Sequence, residues 1–321
     1  MLSESSIMRR ILITGGFGFI GANLIEALLQ SENSAEILIV DNLVTGTFRP
    51  NFLSPSSRVC FIEADICLYD FNKLGNVDEI YHLACPASPK AYQRVPLFTL
   101  NTCYMGTKNV LDYAQSCRAQ VVFTSTSEVY GDPLVTPQYE HYHGNLTTQS
   151  PRSCYDEGKR VAETLCYEYG KLGLNVRIAR LFNSYGPFMA RDDGRMVSNF
   201  ITQTLQGKAI TIQGDGLQTR SLCYVTDTVA GLIKLMSLKT TGLITVNIGN
   251  NHEVTVLQVA QQIVDLLDKP FAATYHSLPE GDPKQRCPGL TLAKQLLNWQ
   301  PKISLLDGLK STIHYFQCDS V

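Results

Sequence analysis

The chain has 321 residues, 44% of them apolar, and a formal net charge of −2 at pH 7. This is enough for a globular protein with a sizeable core, and the near-neutral charge offers no basic surface to nucleic acid or to an anionic membrane. The first ten residues hold no apolar run of signal-peptide length and no stretch is long enough to span a bilayer, so we expect a soluble, cytoplasmic protein without nucleic-acid or membrane partners.

Short apolar runs alternate with helical patterns through the first half of the chain, which is typical of a parallel, doubly wound sheet. The predicted strands are Ile11–Thr14, Ile37–Val40, Val59–Ile62, Glu79–Leu83, Val121–Ser125 and Asn175–Arg180. The predicted helices are Phe19–Gln30, Thr99–Ser116, Cys154–Lys171, Met196–Leu205, Thr226–Met236, Val254–Leu267 and Leu290–Leu297.

The character of the chain changes after Arg180, where loops rich in Gly and Pro appear. We therefore predict an α/β fold: a Rossmann-type doubly wound parallel sheet in residues 1–180 and a smaller C-terminal substrate-binding domain in residues 181–321, of which about 222–249 returns to the large domain. Ligands of such sheets bind in the crevice at the carboxyl ends of the strands. The ten cysteines form no Cys-x-x-Cys pair, so we expect buried thiols in a reducing compartment.

A glycine-rich turn follows the first predicted strand and opens the first predicted helix. The spacing of Gly15, Gly18 and Gly21 allows a tight turn, brings a pyrophosphate close to the backbone and packs helix against strand. The helix N-terminus offers N–H donors and a partial positive charge to the phosphates. Asp41 ends the next strand, where an acidic side chain binds a ribose 2′-hydroxyl. Because Asp41 would repel a 2′-phosphate and Asn42 adds no compensating arginine, the sequence favours NAD over NADP.

Tyr155 and Lys159 lie four residues apart on a predicted helix and therefore face the same way. A tyrosine hydroxyl with an ordinary pKa of about 10 is a poor base at neutral pH. A neighbouring ammonium and a bound nicotinamide cation would favour the phenolate and lower that pKa. We therefore expect Tyr155 to take a proton from a substrate alcohol as hydride leaves its carbon. The alternative is an ordinary pair on a helix surface.

Thr126, Ser127 and Glu128 follow the fifth predicted strand, at the edge of the sheet where the crevice should lie. Thr126 or Ser127 can hydrogen-bond the reacting oxygen. A carboxylate in a water-poor crevice is costly unless it is used, so we expect Glu128 to take part in the chemistry. The alternative is a helix-capping or solvated glutamate.

These motifs are similar to those of the extended short-chain dehydrogenases/reductases of nucleotide-sugar metabolism, and they most resemble the UDP-glucuronate decarboxylases, also called UDP-xylose synthases. The resemblance covers nearly the whole chain and is carried by His82–Pro89, Thr126–Glu128, Pro151–Glu163 and Asp193–Phe200. The related 4,6-dehydratases have Asp-Glu where this chain has Ser127-Glu128, and the 4-epimerases usually lack the acid. The resemblance implies bound NAD and a homodimer in which the Tyr155 helix and the helix around Thr99–Ser116 pack across a two-fold axis.

The resemblance also implies which residues contact the ligands. Those expected around NAD, besides Tyr155 and Lys159, are Gly15, Gly18, Phe19, Ile20, Gly21, Asp41, Asn42, Gly46, Asp65, Ile66, Leu83 and Ala84. Those expected around the nucleotide sugar are Pro86, Ala87, Ser88, Asn183, Arg195, Val197, Arg220 and Arg286. Arg220 matches a loop near the diphosphate, which suits a guanidinium fork, and Arg286 matches an arginine that joins Thr126, Ser127 and Glu128 in the chemistry. The alternatives are a surface arginine and a solvated loop charge. No metal site is expected.

The implied reaction is the NAD-dependent decarboxylation of UDP-glucuronate, or of a related nucleotide uronic acid, to UDP-xylose. Oxidation at carbon 4 gives a ketone β to the carbon 6 carboxylate, and this electron sink allows carbon dioxide to leave as an enolate forms. Protonation at carbon 5 and return of the hydride regenerate NAD. The alternatives within the same fold are release of a 4-keto pentose, an apiose-type product, 4-epimerisation and 4,6-dehydration. An alternative of another class is a non-catalytic NAD-binding module.

Several residues depart from the pattern of the resembled family. Cys103 stands where an Asn is usual, Asn101 where a Lys is usual, Gln213 where a Tyr is usual, and Cys287-Pro288-Gly289 where Lys-Pro-Asp is usual. Cys103 and Gln213 lie near the expected substrate. The hydride chemistry is left intact by these changes, whereas the nucleotide base, the sugar and the final reduction stay open.

Overall fold

The computed structural model describes residues 8–31, 35–53, 58–279, 281 and 285–318. The first seven residues, where we expect no signal peptide, lie outside the described residues. The strands are β1 (Arg9–Thr14), β2 (Ala35–Asp41), β3 (Val59–Glu63), β4 (Glu79–His82), β5 (Gln120–Thr126), β6 (Val176–Leu181), β7 (Ser184–Tyr185), β8 (Ile210–Gln213), β9 (Thr219–Ser221), β10 (Cys223–Tyr224), β11 (Ile244–Ile248), β12 (Glu253–Thr255) and β13 (Ala273–His276). The α-helices are α1 (Phe19–Ser31), α2 (Pro89–Arg94), α3 (Pro96–Asn101), α4 (Thr107–Cys117), α5 (Ser153–Lys171), α6 (Met196–Leu205), α7 (Val225–Met236), α8 (Val256–Leu266), α9 (Thr291–Leu297) and α10 (Leu305–Cys318).

Seven parallel strands form the central sheet in the order β3-β2-β1-β4-β5-β6-β11. The chain reverses its direction of strand addition between β1 and β4, which creates the crevice where ligands of such sheets bind. The six strands predicted in the first half are confirmed to within two residues at each end. Their continuous apolar runs are explained by burial on both faces of the sheet, as at Ile11, Leu12 and Ile13, whose exposed fractions are all 0%.

Helices cover both faces of this sheet. On one face, α1 and α7 contribute Leu24 and Leu232 to a single buried core. On the other, α4 and α5 contribute Val110 and Ala162 to a second core. The predicted doubly wound architecture is therefore confirmed. Within segment 222–249, β11 and α7 belong to the large domain. β11 pairs with β6 in the central sheet, and α7 packs on α1.

The C-terminal part has its own, smaller core. Helices α6, α8 and α10 bury Phe200, Val259 and Phe316 in a third hydrophobic cluster. Three two-stranded sheets complete it: β7 with β10, β8 with β13, and β9 with β12. This is the smaller lobe expected at the carboxyl edge of the sheet, while a boundary at residue 180 stays a prediction. Among the helices of the described ranges, none has the length and apolar character needed to cross a membrane.

The predicted helix Thr99–Ser116 differs from what the structure contains. α3 ends at Asn101, a π-helical turn occupies Thr102–Gly106, and α4 begins at Thr107. At this wider turn the backbone packs directly against the loop after β3. The contact is so close that a β-carbon at Gly106 would lie 2.5 Å from Ile66 Cδ1. Helices α2 and α10 were not predicted from the sequence.

Candidate active site

A cavity of about 760 Å³ opens at the carboxyl ends of the central strands. Of the predicted site residues, it is lined by Gly15, Gly18, Phe19, Ile20, Gly21, Gly46, Leu83, Ala87, Ser88, Thr126, Ser127, Glu128, Tyr155, Lys159, Asn183, Arg195, Val197, Arg220 and Arg286. An adjoining cavity of about 60 Å³ is lined by Asp41, Asn42, Ile66, Ala84 and Pro86, together with Gly15 and Gly18. Asp65 lines neither cavity. Its carboxylate instead accepts a hydrogen bond of 2.8 Å from the Cys67 amide, which caps a turn.

The glycine turn between β1 and α1 has a conformation that lets a ligand come close to its backbone. Gly15 has φ of 73°, a left-handed conformation that favours glycine, and a β-carbon there would lie 2.7 Å from Ala84 Cα. A β-carbon at Gly21 would meet the carbonyl oxygen of Gly15. The amide of Gly18 donates to the same carbonyl oxygen at 3.2 Å. The turn therefore presents bare backbone and the N-terminus of α1 to the cavity, which is what a pyrophosphate requires.

Asp41 lies at the end of β2, in the smaller cavity beside this turn. Its carboxylate accepts hydrogen bonds from the amides of Phe17 at 2.9 Å and Leu43 at 2.8 Å. Burial raises the pKa of Asp41, and these two hydrogen bonds act in the opposite direction. The side chain is thus held in place at the position expected for a ribose contact.

Tyr155 and Lys159 face the cavity from α5. The ring of Tyr155 stacks on that of Tyr92, with centroids 5.0 Å apart and planes 5° apart. Lys159 Nζ donates to the carbonyl oxygen of Thr124 at 2.8 Å and lies 6.0 Å from the Tyr155 ring centroid. Burial raises the pKa of Tyr155 well above its ordinary value, and a hydrogen bond with Thr126 opposes this rise. The expected lowering of this pKa by Lys159 and a bound nicotinamide cation stays a prediction.

Glu128 is held between two arginines, and we call Glu128, Arg152 and Arg286 the charged cluster. Arg152 Nη2 lies 2.6 Å from Glu128 Oε2, and Arg286 pairs with both carboxylate oxygens. Arg286 Nη1 also donates to Ser127 Oγ at 3.2 Å. Burial alone would raise the pKa of Glu128, but the charges of Arg286 and Arg152 outweigh it and hold the pKa well below its usual range. The cluster thus brings two guanidinium groups to this end of the cavity.

Three residues at this end of the cavity were missed as site residues. Arg152 lies inside the segment that carried the resemblance and directly precedes α5, and its place in that segment was the available signal. Tyr92 is buried, and its hydroxyl has no hydrogen-bond partner among the described residues. Asp156 is buried as well, and burial, with the nearby charge of Glu128, raises its pKa to about 7. Nothing local in the sequence marked Tyr92 or Asp156 as cavity neighbours.

The opposite side of the cavity is formed by the C-terminal lobe. Arg195 pairs with Asp193 at 2.6 Å, and its guanidinium lies 5.5 Å from the Phe19 ring centroid. Arg220 projects from β9 and donates to the Thr219 carbonyl oxygen at 2.8 Å. Asn183 follows β6, and Val197 begins the buried face of α6. These side chains line the same cavity as Tyr155, so one ligand or two adjoining ligands can reach both lobes.

Comparison with known proteins gives a consistent picture. The model of the family described as "NAD dependent epimerase/dehydratase family" matches residues 11–249. UDP-glucuronic acid decarboxylase 5 of Arabidopsis thaliana is 47% identical over 303 residues, which is 94% of this chain and 87% of that protein. UDP-glucuronic acid decarboxylase 1 of Xenopus tropicalis is 44% identical over 326 residues, covering 98% of this chain and 74% of that protein.

A solved structure is similar over the same extent. UDP-glucuronic acid 4-epimerase from Bacillus cereus, in complex with UDP-glucuronic acid and NAD, superposes with a TM-score of 0.86 at 28% identity. The match covers 96% of this chain and 99% of that one. Both lobes and the cavity between them therefore have a counterpart in a protein that holds a dinucleotide together with a nucleotide uronic acid.

Proposed function

Because the chain belongs to the NAD dependent epimerase/dehydratase family, we propose that it decarboxylates UDP-glucuronate to UDP-xylose with NAD as a recycled cofactor. The observation that carries this proposal is the charged cluster. Arg152 and Arg286 both pair with Glu128, and both line the same cavity as Tyr155. Guanidinium groups that line a cavity suit a carboxylate, such as the one that a uronic acid carries at carbon 6.

The residues at the glycine turn fit a dinucleotide. Gly15 and Gly21 leave space that β-carbons would fill, and the N-terminus of α1 supplies donors for the pyrophosphate. Asp41 is placed for the ribose and opposes a 2′-phosphate. When bound, NAD supplies the acceptor for a hydride from carbon 4 of the sugar and the donor that returns it.

The residues around Tyr155 move the proton that accompanies this exchange. Tyr155 Oη accepts the proton of the carbon 4 hydroxyl, and its hydrogen bond with Thr126 orients it for that task. Lys159 adds a positive charge beneath the ring and is fixed there by the Thr124 carbonyl. The stacked ring of Tyr92 restricts the ring of Tyr155 to one orientation.

The charged cluster acts at the other end of the sugar ring. A ketone at carbon 4 accepts the electrons that the departing carbon dioxide leaves behind, so negative charge develops on an enolate. Arg286 lies against Ser127 and Glu128, where its guanidinium can stabilise that charge. Glu128 stays ionised and keeps Arg152 and Arg286 in position.

Product analysis tests this proposal. The purified protein is incubated with UDP-glucuronate without added NAD, and the products are followed by mass spectrometry and proton NMR. We expect loss of carbon dioxide and a UDP-pentose with the NMR spectrum of UDP-xylose. UDP-glucose, which has no carbon 6 carboxylate, is the matched control and should stay unchanged. Conversion of UDP-glucose to UDP-galactose, with UDP-glucuronate untouched, would identify an epimerase instead.

A homodimer is part of the same proposal. Its support is an apolar surface along α3, the π-helical turn and α5, where Leu97, Tyr104, Met105 and Tyr167 are exposed by 76%, 44%, 42% and 51%. Such side chains gain from burial against a second copy of the same helices. We expect Met105→Glu to convert a dimer to a monomer in light-scattering measurements, while Leu217→Glu, at an exposed leucine outside this surface, leaves the dimer intact.

A cytoplasmic location is proposed as well. Its support is that all ten cysteines are free thiols, which is usual in a reducing compartment. Fluorescence microscopy of the tagged chain in its own cells tests it, and accumulation inside a membrane-bound compartment would contradict it.

A further inference from the structure

Two cysteines meet at the floor of the cavity. Cys85 lies in the loop after β4 and lines both the large and the small cavity. Cys103 lies in the π-helical turn and is buried, with 2% of its surface exposed. Their Sγ atoms are 3.4 Å apart. No group of three or more His, Cys, Asp or Glu side chains in the described part of the chain could hold a metal ion, so the pair is not explained as part of a metal site.

We propose that Cys85 and Cys103 are a redox-active thiol pair that a hydroperoxide oxidises to a disulfide, and that this modification inactivates the site. The Cys85 thiolate attacks the peroxide oxygen, and the O–O bond breaks to give a sulfenic acid and an alcohol or water. The Cys103 thiol then attacks the Cys85 sulfur, a disulfide forms, and water leaves. Two thiols are oxidised, one peroxide is reduced, and a dithiol reductant reverses the change.

The two cysteines have different access to an oxidant. Cys85 is reached from the cavity, whereas Cys103 is enclosed by protein. The hydrogen bond with Cys103 and the charge of Lys159 lower the pKa of Cys85, while the same hydrogen bond raises that of Cys103. Cys85 is therefore the thiolate that reacts first, and Cys103 is the partner that resolves it. Cys166, in contrast, is fully buried in the core below α5, and burial raises its pKa.

The pair touches the helix that carries the proposed catalytic residues. Gly158 lies between Tyr155 and Lys159 on α5, and a β-carbon at Gly158 would lie 3.0 Å from Cys103 Sγ. A disulfide needs an S–S distance of about 2.05 Å, so the sulfurs must come roughly 1.4 Å closer. This movement pulls the loop after β4, which holds Leu83 and Ala84 beside the glycine turn, towards the π-helical turn. A displacement of about 1 Å at a catalytic site can lower a rate by about 100-fold.

Peroxide treatment of the reduced protein, as purified with its cofactor, tests the proposal. Activity is measured relative to each variant's own untreated value, and disulfide-linked peptides are identified by mass spectrometry without reduction. We expect the wild type to lose at least about tenfold in activity, to yield a Cys85–Cys103 peptide, and to recover with dithiothreitol. Cys60→Ser, which removes an exposed thiol on β3, should behave identically. Cys103→Ser should lose activity without recovery, because Cys85 oxidises further to a sulfinic acid.

Two results would overturn the proposal. One is that the peroxide-treated wild type keeps its free thiols, or that its disulfide includes Cys154 in place of Cys85 or Cys103. Cys154 is a third thiol, and its Sγ lies 3.7 Å from the Tyr92 carbonyl oxygen. The other is reversible inactivation of Cys103→Ser to the same extent as the wild type. Only the activity readout rests on the proposed decarboxylation. The peptide readout does not, so failure of the proposed reaction and failure of the thiol pair can be told apart.

Discussion

The two ends of the cavity are built in different ways. The glycine turn is a contiguous piece of strand, turn and helix whose function depends on absent side chains, since β-carbons at Gly15 and Gly21 would fill it. The charged cluster is assembled from Glu128, Arg152 and Arg286, which come from three separate parts of the chain and meet only after folding. The glycine turn depends on the shape of the backbone, whereas the charged cluster depends on the pairing of charged side chains. We therefore expect substitutions at the glycine turn to reduce bound NAD, and substitutions in the charged cluster to change stability and the pH dependence of activity.

The largest expected effect is at Tyr155, which lies between the two ends. Tyr155→Phe keeps the ring stacked on Tyr92 but removes the proton acceptor, so we expect turnover to fall about 1,000-fold. NAD content and circular dichroism should be unchanged. Tyr167→Phe, at an exposed position of the same helix, is the matched control and should keep full activity. Full activity of Tyr155→Phe would contradict the role of Tyr155 as proton acceptor, whereas the absence of turnover in the wild type as well would favour a non-catalytic binding module.

Gly15→Ala tests the backbone end. The substitution adds a β-carbon 2.7 Å from Ala84 Cα at φ of 73°, so we expect bound NAD to fall about tenfold or more. Gly207→Ala is the control, because Gly207 has φ of 67° but nothing within 4 Å of an added β-carbon. It should cost about 1 kcal/mol of unfolding free energy and leave NAD content unchanged. Equal NAD loss in both variants, measured by cofactor release on denaturation, would show that strain alone is responsible.

Arg152→Gln tests the charged end. Breaking a buried ion pair lowers the free energy of unfolding by about 3 kcal/mol. The arginines depress the pKa of Glu128, so its stabilising contribution is present above the unfolded pKa and is lost as pH falls through the folded pKa. Removing Arg152 raises that folded pKa and should shift the acid limb of the pH–activity profile upward. Lys171→Gln, which breaks an exposed pair with Glu168, should leave both the stability and the profile nearly unchanged, because solvent screens such pairs.

Asp156→Asn should have the smallest effect on activity and should raise stability. Burial and Glu128 raise the pKa of Asp156 to about 7, so its favourable contribution is complete below its unfolded pKa and is lost as pH rises through 7. The neutral amide removes this loss, and we expect the unfolding free energy at pH 8 to increase by several kcal/mol, at about 1.4 kcal/mol per pKa unit, with little change at pH 4. A stability gain at pH 4 equal to that at pH 8 would contradict the assignment.

The same difference between the two ends explains what the sequence could predict. The strand–glycine–helix pattern is local, so the sheet, the glycine turn and Asp41 were predicted within a few residues. The shared orientation of Tyr155 and Lys159 was also predicted, because residues four apart on a helix lie on one face. Arg152 and Tyr92 were missed because their roles depend on contacts with Glu128 and Tyr155 that only the tertiary structure creates. The π-helical turn at Cys103 gave no periodic signal, and Asp65 proved to cap a turn instead of lining the cavity.

The most direct test of the account follows a deuterium label at carbon 4 of UDP-glucuronate through a reaction without added NAD. If the cavity holds one NAD that accepts and returns the same hydride while the charged cluster assists carboxylate loss, carbon dioxide is released and the UDP-xylose retains the deuterium at carbon 4. Loss of the label to solvent, or recovery of labelled UDP-galacturonate with its carboxylate intact, would contradict it.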